Sequence, residues 1–228
     1  FAGYDGIIVE GRAARPVYLL IEDENVQLLP ADEFRGRETA AVQETLHARH
    51  GEKVRILQIG PAGENQVRYA NITADLRNFH GRGGLGAVMG SKNLRAIVVR
   101  GTQRKLKLAD PEALRNVATW FSRSTKGHPA ISVHHELGTA KGILPVSVSG
   151  ILPTYNFQDG SFDGAEGISG ETMRDLLNGE TETCYACVVS CKRSVEGGDG
   201  RFKVTRTYGG PEYETIGLHG SNLGVDNI

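Results

Sequence analysis

The chain has 228 residues, 39% of them hydrophobic and 23% charged, with a formal net charge of −1. That composition predicts a soluble globular protein with a packed core, and the near-neutral balance lacks the basic surface that nucleic acid demands. No apolar run approaches the roughly 18 residues of a membrane span, so neither nucleic acid nor membrane is expected as a partner.

Taken in chain order, short β-branched runs at Gly6–Glu10, Val17–Ile21, Val54–Ile59, Val67–Ala70 and Ala96–Val99, separated by Gly, Pro and Asp turns, predict strands. A helix is expected from Thr39 to about His50, with Val42 and Leu46 on one face and Gly51 as its stop. After Gly101 the texture changes. Asp110-Pro111-Glu112 carries a helix cap and a proline for the first turn, and Leu114, Val117, Ala118 and Phe121 follow at helical spacing. Trp120 and Phe121 are therefore expected in a core or an interface. A second helix is expected from Ser169 through Met173, Leu176 and Leu177, and a third through the cysteines. We place a boundary within 101–109, giving a β-rich domain over 1–104 and the beginning of a helical one over 105–228. The expected class is α+β. The chain opens at Phe1 without methionine and stops in a glycine- and asparagine-rich stretch, which we read as a piece of a longer protein.

Three segments carry chemistry. Cys184, Cys187 and Cys191 form a C-x₂-C-x₃-C spacing able to point three thiolates at one iron–sulfur cube, whose fourth iron takes a ligand from elsewhere. Radical-SAM enzymes use the reverse order. Zinc remains open if His219 supplies a fourth donor, as does a plain buried trio; the close spacing is a poor disulfide framework and suits a reducing, cytoplasmic setting.

The second segment is Gly81-Arg82-Gly83-Gly84-Leu85-Gly86-Ala87-Val88-Met89-Gly90-Ser91-Lys92. It contains G-x-G-x-x-G, but a dinucleotide fingerprint opens a long helix and is answered by an acid about 20 residues on, whereas the next apolar run here reads as a strand. No G-K-[ST] is present for a Walker loop. What survives is an anion cradle of backbone amides with Arg82 and Lys92 adding charge, set against a plain glycine-rich turn. The third segment, Gly210-Pro211-Glu212-Tyr213-Glu214, places two carboxylates at a helix start, where they serve as surface groups or, beside a metal cofactor, as a base. His128, His134 and His135 read as a solvated helix face.

Residues 81–97, together with Ile59-Gly60-Pro61-Ala62-Gly63-Glu64, Leu152-Pro153-Thr154-Tyr155-Asn156-Phe157, the cysteine triplet and Gly210–Glu214, occur in one order over the whole chain. In that order they resemble the aldehyde:ferredoxin oxidoreductase family. The resemblance implies a β-rich base domain followed by largely helical ones, around a tungsten held by two pterins (tungstopterin) beside a [4Fe–4S] cluster. Residues 1–101 then match the later part of the first domain and 108–228 the start of the second. Cys184, Cys187 and Cys191 match three cluster ligands; the fourth, and the D-x-x-G-L pterin motifs, lie beyond Ile228.

The loop 81–92, with Arg82, Gly83, Gly84, Gly86, Ala87, Val88, Met89, Gly90, Ser91 and Lys92 as its candidate contacts, matches the contact with the pterin phosphates and the Mg²⁺ that bridges them, with the carbonyl of Ala87 as candidate magnesium contact. Glu214 or Glu212 matches a glutamate near tungsten that removes a proton as the aldehyde C–H bond breaks. The implied partners are an aldehyde and ferredoxin or another electron-transfer subunit, in an anaerobic cytoplasmic enzyme, with a homo-oligomer left open. The rivals are a same-family reductase of an aromatic acyl-CoA and a zinc-stabilised, non-catalytic binding module.

Overall fold

Alternation along Val17–Glu22 (β1) sends Tyr18 and Leu20 to one face of a sheet and Leu19 and Ile21 to the other, and all four are buried. A strand apolar on both sides belongs in the middle of a sheet covered twice. The computed structural model, which describes residues 2–103, 107–177 and 179–228, shows that arrangement. Its two compact units are Phe1–Leu108 and Ala109–Ile228. The sequence-derived boundary between 104 and 105 falls on 104–106, outside the described residues.

In the first unit six strands run in the order β2-β1-β6-β3-β4-β5. Asn25–Pro30 (β2) folds back on β1; Thr39–His50 (α1) follows, then Arg55–Gln58 (β3), Pro61–Glu64 (α2), the hairpin Ile72–Ala74 (β4) and Asn78–His80 (β5), Leu85–Ser91 (α3) and Leu94–Arg100 (β6). Only β1 and β6 pair in parallel among the described strands. One face packs Tyr18, Leu20, Ile56, Ala96 and Val98 against Phe34 and against Val42 and Leu46 of α1. The other packs Leu19, Ile21, Ile59 and Leu94 against Met89 of α3. Leu46 is wholly buried, so Leu46→Ala is expected to cost about 2–5 kcal/mol, read as a lower denaturation midpoint; an unchanged midpoint would remove α1 from the core.

Helix α1 occupies the predicted span, and Gly51 closes it at φ 88° with its N–H on His47 O. Two predicted strands do not form. Gly6–Glu10 forms no strand, with Ile8 90% exposed. Its apolar residues are consecutive rather than alternating, and both edges of β1 are already taken by β2 and β6. Val67–Ala70 is a pair of turns: Gln66 takes φ 54°, Val67 N–H returns to Ala62 O and Ala70 N–H to Val67 O. Strands β2, β4 and β5 and helices α2 and α3 were not anticipated, because each is short and draws its stability from packing rather than period.

The second unit opens with Pro111–Thr125 (α4), whose cap is as predicted: Asp110 accepts from the N–H groups of Glu112 and Ala113. Then come Pro129–Leu137 (α5), Ile143–Val148 (α6), Gly170–Leu176 (α7), the hairpin Glu180–Glu182 (β7) and Lys192–Ser194 (β8), and Tyr213–His219 (α8). Ser169 caps α7 by accepting from Thr172 N–H. The core gathers Ile143, Leu152, Phe162, Ile168, Met173, Val195 and Ile216. Trp120 and Phe121 lie outside that core, 65% and 46% exposed. Of the two expectations for them, core is corrected and interface is untouched.

The helix predicted through the cysteines is also corrected. Cys184–Cys191 is the loop of the β7–β8 hairpin. Left-handed turns at Ala186 (φ 53°) and Ser190 (φ 50°) break any helical path.

Candidate functional site

The hairpin loop presents its sulfurs outward. Cys184 and Cys187 are exposed, Cys191 is half-buried, and all three are free thiols. Thr183 shapes the loop from within, its hydroxyl lying 2.8 Å from Cys184 O and 2.6 Å from Cys187 O. Burial pushes the Cys191 thiol above its ordinary range, the Glu212 carboxylate adds to that, and Cys184 and Cys187 follow. Among the described residues no group of three or more His, Cys, Asp or Glu side chains is gathered as a ready-made metal site. Donor chemistry nevertheless fits a cluster better than zinc: three thiols come from one loop, and His219 is exposed at the far end of α8.

Glu212 stands at the cap position of α8, half-buried. Its carboxylate accepts a 2.5 Å hydrogen bond from the Thr139 hydroxyl, which in turn accepts from Tyr213 N–H at 2.8 Å. One hydroxyl thus ties the carboxylate to the first turn of the helix. Glu214, two residues on, is exposed.

Beside the hairpin, a cavity of about 810 Å³ is walled by the end of α4, by α5 and by the loop residues Val188 and Val189. His135 reaches across, its Nδ1 2.9 Å from Val189 O, which makes Nδ1 the protonated nitrogen. His128 and His135 are exposed and His134 half-buried. Sequence reasoning missed the contacts of Thr139, His135 and Arg193 with this region, since none belongs to a motif. It also missed a run of left-handed residues, Tyr155, Asn156 and Phe157 (φ 47°, 57° and 62°), held by N–H bonds to Ser221 O, Asn222 O and the Asn222 side chain.

In the first unit the glycine segment splits in two. Gly84, Gly86 and Gly90 face backbone: a Cβ on them would lie 2.1 Å from Arg68 O, 2.3 Å from Asn71 O and 1.9 Å from Gly63 O. Gly81 and Gly83 face open space, Gly83 at φ 78°. The N–H groups of Gly86, Ala87 and Val88 are already committed, to Ala70 O and Gly84 O. Lys92 sends its ammonium to Gly11 O at 3.3 Å, and Ser91 its hydroxyl to Val88 O. Arg82 is exposed, Val88 51% exposed and Met89 buried. The open part of the segment is thus the turn Gly81–Leu85 with Arg82, while Gly84, Gly86 and Gly90 pack against backbone of the same unit.

The family model for the aldehyde ferredoxin oxidoreductase N-terminal domain matches residues 1–101. The model for domains 2 and 3 of the same enzymes matches residues 116–228. The chain belongs to the aldehyde ferredoxin oxidoreductase family. It is 37% identical over its whole length to the tungsten-containing aldehyde ferredoxin oxidoreductase of Pyrococcus furiosus, covering 37% of that protein, and 40% identical to the Pyrococcus abyssi protein of the same name, again over 37% of it. It is 31% identical, over 98% of its length and 38% of the relative, to a P. furiosus aliphatic sulfonate oxidoreductase, WOR-like subunit. The chain spans somewhat more than a third of these relatives. The fold matches the active site complex BamBC of benzoyl coenzyme A reductase with a TM-score of 0.69 at 24% identity, covering 99% of this chain and 38% of that one. No helix among the described residues is long and apolar enough to cross a membrane.

Proposed function

We propose that the full-length protein is a tungstopterin- and [4Fe–4S]-dependent oxidoreductase that converts aldehydes to carboxylic acids and passes the electrons to ferredoxin. The observation that carries this reading is the hairpin loop that presents three free thiols within eight residues, Cys184, Cys187 and Cys191. Whole-length likeness to proteins named tungsten-containing aldehyde ferredoxin oxidoreductase supports it. When bound, tungstopterin supplies two-electron redox chemistry and the cluster single-electron transfer.

The chain's own residues divide the remaining work. Cys184, Cys187 and Cys191 hold three irons. The turn at Gly81–Gly84, with Arg82, meets the pterin phosphates and their Mg²⁺. Glu212 is the base that accepts the proton from the substrate carbon, and it suits the role better than Glu214 because it is half-buried with its carboxylate held by Thr139, whereas Glu214 is exposed.

Elemental analysis of the anaerobically purified full-length protein tests the reading. Tungsten with about four irons per chain is the expected result. One zinc and no iron would discard it in favour of the zinc-stabilised module, and loaded protein that reduces an aromatic acyl-CoA but oxidises no aldehyde would move it to another substrate of the same family.

A further inference from the structure

Glu212 holds the cap position of α8, where a side-chain oxygen ordinarily accepts from the N–H groups of the first turn. It does not: its carboxylate makes no cap bond to its own helix. The capping comes from another segment. Thr139, in the 3₁₀ turn Gly138–Gly142 that follows α5, accepts from Tyr213 N–H at 2.8 Å. The same hydroxyl gives its hydrogen to Glu212 Oε2 at 2.5 Å.

Proton placement follows from that pair of bonds. A backbone N–H only donates and a hydroxyl has a single hydrogen, so Oε2 is the acceptor. A proton on Oε2 would force the hydroxyl to accept twice and leave its own hydrogen without an acceptor among the described residues. That leaves Oε1 as the oxygen able to take a proton. The surroundings are fixed. Gly138 and Ala140 on either side of Thr139 are buried, and a Cβ on Gly138 would lie 2.9 Å from Cys191 O. The Tyr213 ring lies against Gly142, whose added Cβ would come 3.4 Å from Tyr213 Cδ2. Ile216 of α8 belongs to the core, and Ser221, past the far end of the helix, is wholly buried with its hydroxyl on Pro153 O at 2.7 Å. The helix is thereby held at both ends, and the rotatable bonds of Glu212 are the freedom that Thr139 removes.

We propose that Thr139 is a positioning residue for aldehyde oxidation: its hydroxyl keeps Oε2 of Glu212 as an acceptor and so makes Oε1 the oxygen that receives the proton. This rests on the reading of Glu212 as the base. As the substrate C–H bond breaks, its proton passes to Oε1, and its electron pair leaves through the two-electron chemistry already assigned to the bound cofactor.

The test is a double-mutant cycle in metal-loaded full-length protein, read by steady-state aldehyde oxidation, with Thr139→Val, Glu212→Gln, the two combined, and Thr139→Ser. Valine keeps the branching of the side chain and removes the hydroxyl. Thr139→Val is expected to lower kcat by about 10²-fold with KM unchanged, and Thr139→Ser to keep nearly the wild-type value. In the Glu212→Gln background the same valine is expected to change kcat by no more than about twofold, because the proton chemistry it supports is already gone. A structural role alone would lower kcat alike in both backgrounds, and that result overturns the inference, as does a serine variant no better than valine. Wild-type kcat in Thr139→Val overturns it too and leaves the base assignment standing, whereas wild-type kcat in Glu212→Gln overturns both. If Thr139→Val fails to fold, Thr139→Ala enters the same cycle in its place.

Discussion

Gly90→Ala is expected to lower the thermal midpoint of the first unit's unfolding by roughly 12–24 °C, the counterpart of about 3 kcal/mol. Two effects compete. Alanine is the better helix former by about 1 kcal/mol, and Gly90 sits inside α3, so propensity by itself makes the change stabilising. Against that, the added Cβ would lie 1.9 Å from Gly63 O and 2.7 Å from Gly63 C. These are backbone atoms at the end of α2, and no rotamer moves them. Glu64 holds that segment down from the other side, with one carboxylate oxygen 2.8 Å from Nε of the buried Arg95 and the other accepting from Gly36 N–H at 2.7 Å. The helix must therefore lift, and the Met89 packing beneath it is lost. Gly83→Ala is the informative control: its φ of 78° makes alanine strained, but the space is open, so about 1 kcal/mol is expected. Equal stability of Gly90→Ala and wild type would show that α2 and α3 do not meet as closely as described.

Glu212→Gln is expected to reduce kcat by about 10²–10⁴, the range for removing a positioned acid or base, with tungsten and iron retained. Glutamine still accepts from the Thr139 hydroxyl, so the fold around α8 survives; what disappears is the ability to take a proton. Glu214→Gln is expected to change kcat by no more than a few-fold, because that side chain is exposed in the first turn of α8. Steady-state aldehyde oxidation by metal-loaded full-length protein separates the two. A large loss in Glu214→Gln with little in Glu212→Gln would reverse the assignment and imply that the remaining polypeptide encloses Glu214 instead.

Much of the site was legible as residue types in order, and much less as shape. Thiol spacing suggested a metal chemistry from sequence alone, because sulfur donors must come in number and close together, whatever backbone carries them. The helix expected there was wrong because the left-handed turns at Ala186 and Ser190 fall on ordinary residues, without the glycine that usually signals them. The glycine segment was readable as a place of close approach, yet sequence assigned all of its glycines to one ligand. Gly84, Gly86 and Gly90 instead accommodate backbone carbonyls of the same unit, and only Gly81 and Gly83 stay open.

The sequence by itself determined the local elements whose signals are self-contained. Helix α1 has its apolar i, i+4 pair and glycine stop, α4 its Asp-Pro cap and α7 its serine cap, because each is written within one or two turns of chain. Only the tertiary structure decided what depends on partners distant in sequence. It set the parallel pairing of β1 with β6, the exposure of Trp120 and Phe121, the tethering of Glu212 by Thr139, and the seating of Arg193 across α5 and the cysteine hairpin. Those contacts join residues from about 60 to 80 positions apart, and local sequence carries no record of which distant group will meet a given donor or apolar face.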